Sequence, residues 1–299
     1  MTLGINLSFC VKRWVTPQLW APVVRDDLGL DLVQFSFDLV DPLWPDAVLA
    51  DCAAQLRKAA AEHRLHIHSA FIGLAHYTFN QLLHPDMRVR DFAEAWLERA
   101  YGFAAMAGIE EVGGPAGAIA SRRDGGEDAA IPPEDYRDLV TRLHRLAAKA
   151  KAAGLKRLAI EPTPMRREWP WTISQALQLA GDLQGAALPF SFCLDWGHAT
   201  LRPLYGESQA SMEQWLRQLG PKVGMIHLQQ TDFELDRHWD FTENGLVDPV
   251  DAAALLARTG HGGKPVFLEV FYPFEKTDAA ILDALRATAA LLKPAFAAA

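Results

Sequence analysis

Cysteine is scarce in this chain: three in 299 residues, Cys10, Cys52 and Cys193, widely spaced and without a CxxC pair. That excludes a disulfide framework and a cysteine-rich zinc module, and reads as buried free thiols in a reducing cytoplasm. Positive charge is also in deficit, with 29 Lys and Arg against 37 Asp and Glu and a formal net charge of −8. An acidic chain has no general field to attract nucleic acid or an anionic membrane, so neither is expected as a partner. No apolar run approaches the roughly 20 residues of a membrane span. The apolar start, Met1 to Phe9, is broken by Asn6 and followed by Lys12 and Arg13 rather than preceded by charge, unlike a signal peptide. A soluble, cytoplasmic protein is expected. No GxGxxG follows the first apolar run, which leaves a dinucleotide-binding start unsupported.

What the chain does have is apolar mass in a repeating order. Half the residues are hydrophobic. Eight short apolar runs read as buried parallel strands: Leu3–Phe9, Leu32–Phe37, Leu65–Phe71, Glu110–Gly114, Leu158–Glu161, Phe190–Asp195, Val223–Leu228 and Val266–Phe271. Helical patterns lie between and after them, at Thr16–Asp27, Pro45–His63, Met87–Ala107, Pro133–Ala153, Thr172–Leu183, Ser208–Leu219, Asp248–Thr259 and Thr277–Leu292. Several of these end at glycine, the usual left-handed stop. Eight strand–helix alternations, in a chain somewhat longer than the typical barrel of about 250 residues, predict a single (β/α)8 barrel domain over residues 1–299. The terminal Ala297-Ala298-Ala299 is expected to fray.

Barrel active sites are built at the carboxyl ends of the strands. Four consecutive strands end there in a ligand-type side chain directly after apolar residues: Glu161, Asp195, His227 and Glu269. Three carboxylates converging at a low-dielectric mouth repel one another, and a divalent cation removes the conflict. Three carboxylates with one imidazole form a hard, oxygen-rich set suited to one Mn²⁺ or Mg²⁺ ion, with Co²⁺ also admissible. His198, three residues after Asp195, is placed to orient a substrate hydroxyl or to support the ligands.

At these residues the chain resembles the xylose-isomerase-like barrel superfamily. The motifs that carry the likeness are Glu161-Pro162, Asp195-x-x-His198, the His227 strand and Glu269. The resemblance covers essentially the whole chain in strand order. It implies that Glu161 and Glu269, besides holding the metal, exchange protons with a small carbohydrate substrate. It further implies a homodimer or homotetramer. Ketose 3-epimerases of this group carry a further substrate-contacting Glu after the first. Here the stretch Pro164-Met165-Arg166-Arg167-Glu168-Trp169-Pro170 departs from their pattern, with Glu168 as the counterpart. The segment looks more like a subgroup acting on four- or five-carbon sugars, their phosphates or their acids, including tetrulose-phosphate isomerases.

The chemistry implied is proton transfer through a metal-stabilised enediolate of a four- to six-carbon ketose, sugar phosphate or sugar acid. Return of the proton to the neighbouring carbon gives isomerisation, and return to the opposite face gives epimerisation. A 3-oxo sugar acid such as 3-oxo-isoapionate would instead lose CO₂ at the same site, making the protein a carboxy-lyase. Lys12 and Arg13 after the first strand, and Arg166 with Arg167, are candidate anion contacts that tilt the expectation toward a charged substrate. His68 on the third strand and His238 after the seventh are further candidate substrate contacts. A DNA-repair endonuclease of the same superfamily would need more histidines and a basic surface. A non-catalytic sugar-binding barrel would have no use for paired glutamates on a metal.

Overall fold

The apolar runs form eight parallel strands that close into a barrel in chain order, with the eighth pairing back onto the first. They are β1 (Leu3–Asn6), β2 (Leu32–Ser36), β3 (His66–Phe71), β4 (Glu111–Gly114), β5 (Arg157–Ile160), β6 (Phe190–Asp195), β7 (Val223–Leu228) and β8 (Val266–Leu268). The computed structural model describes residues 1–121 and 130–298. Residues 122–129, within the long connection after β4, and Ala299, one of the alanines expected to fray, lie outside the described residues.

The helices are α1 (Pro17–Pro22), α2 (Asp46–His63), α3 (Leu74–Tyr77), α4 (Met87–Ala107), α5 (Pro133–Ala153), α6 (Ile173–Asp182), α7 (Trp196–Ala199), α8 (Arg202–Tyr205), α9 (Met212–Leu219), α10 (Pro249–Arg258) and α11 (Asp278–Ala298). Their limits follow local chemistry. Asp86 accepts a hydrogen bond from Arg88 N at the start of α4, and Gly108 ends that helix with φ 78°. Thr172 and Gln175 close a reciprocal cap on α6. Pro22, which has no N–H to give, turns α1 into a wider π turn over Val23–Asp27. Among the described residues no helix is long and apolar enough to cross a membrane.

Several boundaries differ from the sequence reading, among them the eighth strand, which stops at Leu268 rather than Phe271. The first strand stops at Asn6, because its Oδ1 accepts from Ser8 N at 2.8 Å and bends Leu7–Cys10 into a 3-10 turn. The sixth expected helix, α9, begins at Met212 rather than Ser208, where the Ser211 side chain caps Gln214 N. The last helix continues through Pro294 to Ala298, so Ala297 and Ala298 are helical.

Inside the barrel, Leu32, Phe71, Ala159, Cys193, Met225 and Phe267 form one packed layer. Each fully buried large apolar side chain contributes roughly 2 kcal/mol by removal from water. Gly113 makes room for Phe71: a Cβ there would lie 2.4 Å from a carbon of that ring. The layer plugs the barrel below the strand ends and so provides the floor on which polar side chains gather.

Candidate metal centre and active site

Glu161, Asp195, His227 and Glu269 converge as expected from the ends of β5 to β8. All four are buried, and one ligand atom from each lies within 4.8 Å of the others. His227 stands in the middle: its Nδ1 is 2.9 Å from Glu161 Oε1 and 2.9 Å from Glu269 Oε2. Backbone register sets their height, since Glu161 N donates to Gly114 O and Glu269 N donates to Leu228 O, each continuing its strand by one residue.

A chain of hydrogen bonds decides which nitrogen of His227 faces the carboxylates. Ser8 N is a donor only, so the Asn6 atom accepting from it is the amide oxygen, and Asn6 Nδ2 must point away. That Nδ2 donates to Gln34 Oε1 at 2.6 Å, which identifies the Gln34 atom as oxygen. The same oxygen lies 2.7 Å from His227 Nε2, which therefore carries the proton. In its neutral form His227 presents a bare Nδ1 to the carboxylate cluster, the form a metal ligand needs; without a cation there, Cys193, Glu269 and Glu161 outweigh burial and hold the imidazole well above its ordinary value.

Asp195 is held by one oxygen only. Its Oδ1 accepts from His198 N at 2.9 Å and from Gln229 Nε2 at 2.8 Å. Its Oδ2 is buried with no hydrogen-bond partner among the described residues, and burial pushes the carboxyl above its ordinary range. A buried orphan oxygen is costly. Together with two more buried carboxylates and a lone-pair nitrogen, it fits a hard divalent cation.

His198 and His238 flank the centre and share Asp236. Each places Nε2 3.1 Å from Asp236 Oδ2, while His198 Nδ1 lies 3.1 Å from Pro162 O. Burial alone would pull both imidazoles down, but the surrounding carboxylates override it: Asp195 and Asp236 hold His198 well above its ordinary value, and Asp236 lifts His238 to about 9. His198, Asp236 and His238 also form a second group whose ligand atoms lie within 4.8 Å of one another.

These residues open on a cavity of about 270 Å³, whose wall includes Glu161, Glu269, His198, Asp236, His238 and Asp38. Its apolar side is made by Ile72, Leu74 and Phe271, the last stacked edge-on against His238 at 4.7 Å. Glu168 stands one step behind. It is buried, accepts from Thr163 Oγ1, and is hydrogen-bonded to Tyr77, both of which line the cavity.

Four other expected contacts are not brought to this cavity. Arg13 donates to Pro273 O and Lys276 O and pairs with Asp278, pinning the loop that leads into α11. Lys12 sits with φ 60° and its ammonium 4.3 Å from the centre of the Phe274 ring. Arg167 is exposed and lines a separate cavity of about 330 Å³ with Arg166 and Leu235. His68 lies near the opposite end of the barrel, in a cavity with Glu111 and Arg157, its ring 5.4 Å from that of Phe267.

The sequence reading passed over Gln34, Asn6, Asp38, Asp236 and Tyr77. Gln34 left a signal: an uncharged amide in the middle of Leu32–Ser36, a strand buried along its whole length. Asp236 also had one, spaced two residues before His238. Asn6 had the same kind of signal, a polar break in the apolar start, whereas Asp38 and Tyr77 carry no local mark.

The comparison with known proteins agrees with this geometry. Residues 25–291 match the sequence profile of the xylose isomerase-like TIM barrel, and the chain belongs to that family. A protein of Rhodospirillum rubrum ATCC 11170, provisionally described as a xylose isomerase, is 38% identical, with 98% of this chain and 99% of that one covered and a TM-score of 0.93. Among curated proteins, the D-erythrulose 1-phosphate 3-epimerase of Brucella abortus (strain 2308) is 24% identical over 302 residues, covering 98% of this chain and 96% of the relative. The D-psicose 3-epimerase of Clostridium cellulolyticum H10 shares the fold at 14% identity, with 99% of each chain covered and a TM-score of 0.73.

Proposed function

We propose that this enzyme is a divalent-metal-dependent epimerase of a small ketose, inverting the carbon beside the carbonyl by proton transfer between Glu161 and Glu269. The observation that carries the reading is the meeting of the two glutamates. They come from β5 and β8, approach the same His227 nitrogen at 2.9 Å each, and both line the cavity. Inversion requires that a proton leave one face of the substrate and arrive on the other. Two carboxylates from different strands provide a base and an acid for that exchange.

Glu161, Asp195, His227 and Glu269 would hold the ion, and their oxygen-rich set favours Mn²⁺ or Mg²⁺. When bound, a divalent ion there supplies Lewis-acid polarisation of the carbonyl and neutralises the clustered carboxylates. The chain's own groups do the rest. Glu161 and Glu269 carry the proton. His198, clamped between Pro162 O and Asp236, fixes that side of the cavity wall and holds Asp236 in place. Ile72, Leu74 and Phe271 keep water from the exposed carbanion equivalent.

The curated epimerase relative and the epimerase fold neighbours support this reading. The decarboxylation alternative finds no support in them. The test is NMR of the Mn²⁺-loaded protein with a panel of ketoses, ketose phosphates and 3-oxo sugar acids in D₂O. Deuterium at the carbon beside the carbonyl, with the inverted ketose as product, is the expected result. Aldose formation would move the assignment to isomerase, and CO₂ release to lyase.

A further inference from the structure

The two basic pairs that pointed toward an anionic substrate, Lys12 with Arg13 and Arg166 with Arg167, do not line the cavity, and an aspartate does. Asp38 lines the same wall as Glu161 and Glu269. It follows β2 and is fixed in place from three sides. Its Oδ1 accepts from Ala75 N at 2.8 Å, and its Oδ2 accepts from Leu74 N at 3.0 Å and Ser36 Oγ at 3.2 Å. Gly73 leaves room for that carboxylate: a Cβ there would stand 2.2 Å from Asp38 Cγ. The backbone amides an anionic ligand could have used are thus already occupied by a fixed negative charge.

The charge balance of the cavity points the same way. Three ligand carboxylates exceed the charge of a divalent ion by one, and the imidazoles of His198 and His238, the remaining basic groups of the wall among the described residues, each direct Nε2 to Asp236. Asp38 adds a further carboxylate, to which no Lys, Arg or His side chain is hydrogen-bonded among the described residues. Among the described residues, no Lys or Arg lines the cavity. Arg237 is paired with Asp232 at 2.6 Å, and Arg202 lies over the Phe233 ring. A carboxylate has about four lone-pair positions, and three are taken at Asp38, which leaves one for a donor from the cavity. A sugar hydroxyl is such a donor, whereas a phosphate monoester near pH 7 brings only acceptors and about two negative charges.

We infer that the substrate is an uncharged, unphosphorylated ketose, and that Asp38 sets this preference by accepting one of its hydroxyls and repelling a phosphate. The inference rests on the epimerase reading of the preceding subsection. It places the enzyme among reactions on free sugars, upstream of any kinase that would trap them.

The experiment measures kcat/KM by deuterium incorporation for matched pairs, D-erythrulose with D-erythrulose 1-phosphate and D-ribulose with D-ribulose 5-phosphate, on the Mn²⁺-loaded wild type and on Asp38→Asn and Asp38→Ala. In the wild type the free sugar should lead each phosphate by about tenfold or more, since like-charge juxtaposition costs more than the 1.4 kcal/mol that tenfold represents. Both variants should narrow that ratio, and because the ratio is internal to each protein, partial loss of fold cancels from it. A phosphate ester ahead of its free sugar in the wild type, or a ratio unmoved in both variants, overturns the inference while leaving the epimerase reading intact. Exchange with no sugar and no phosphate would remove the epimerase reading, and this inference with it.

Discussion

Gln34 Oε1 lies 2.7 Å from His227 Nε2, and this bond, buried on β2 and β7, selects the nitrogen that His227 turns to the carboxylates. The selection is anchored in backbone, through Asn6, to Ser8 N. Replacing Gln34 by Leu leaves an Asn6 N–H and a His227 N–H without acceptors. Mn²⁺ affinity, read by titration calorimetry, should fall by about 10- to 100-fold. Gln34→Glu, which still accepts from both donors, should stay within a few-fold of wild type. Wild-type affinity in Gln34→Leu would show that the bond does not position the imidazole.

Glu161→Gln and Glu269→Gln each keep the shape of the side chain and lose the proton carrier. Turnover should drop by about 10²- to 10⁴-fold in either variant, with circular dichroism unchanged. Either variant turning over at the wild-type rate would remove that glutamate from proton transfer.

Removal of metal should be visible without substrate. Stripping with chelator leaves three buried carboxylates facing one another, and restoring Mn²⁺ to about 100 times its Kd should stabilise the fold by about 2.7 kcal/mol. For a chain of 299 residues that is a rise in Tm of roughly 4 °C. A Tm independent of Mn²⁺ across that range would contradict a metal site in the folded protein.

His76 offers a pH effect away from the centre. Its ring stacks on Trp96 at 3.8 Å and 5°, its Nε2 is buried without a hydrogen-bond partner among the described residues, and burial lowers its pKa to about 4 against a slight upward pull from Asp41. Because the folded value lies below the unfolded value near 6.5, the unfolded chain takes up the proton first as pH falls. Stability is therefore lost from about pH 6.5 down to about pH 4 and is flat below, by about 3 kcal/mol in all at about 1.4 kcal/mol per pH unit. Urea unfolding at pH 7 and pH 4.5 should show a smaller drop for His76→Phe than for wild type. Equal drops would mean that this imidazole is not held neutral.

The parts legible in the sequence were those written locally. The barrel was legible because most strands are short apolar runs and several of the long helices are bounded by a capping side chain or a glycine. The four candidate ligand positions were legible because Glu161, Asp195, His227 and Glu269 each sit at or near the carboxyl end of such a run. Direction and depth were not. Alternation along β3 places His68 on a given side of the strand but does not give its height, and it lies near the end opposite the metal ligands. Adjacency to a strand end suggested that Lys12 and Arg13 face the mouth, yet the turn over Leu7–Cys10 carries them past it to the α11 loop. Asp38 and Tyr77 meet the site only through the packing of α3 over β2, a relation between segments some 40 residues apart that no local pattern records.

The barrel wall is divided in chemical labour. Strands β5 to β8 carry every carboxylate and the imidazole proposed to hold the ion, whereas β1 to β3 contribute neutral amides and hydroxyls such as Asn6, Gln34 and Ser69. The loop after β2 adds Asp38 at the rim. The proposed ligands and the neutral groups that hold them in register thereby occupy separate arcs of one cylinder. A change at Asn6 or Gln34 reaches the imidazole through its hydrogen bond, whereas a change at the Asp38 rim meets the cavity without touching that bond, so the two ends of one strand–loop unit are open to separate tuning.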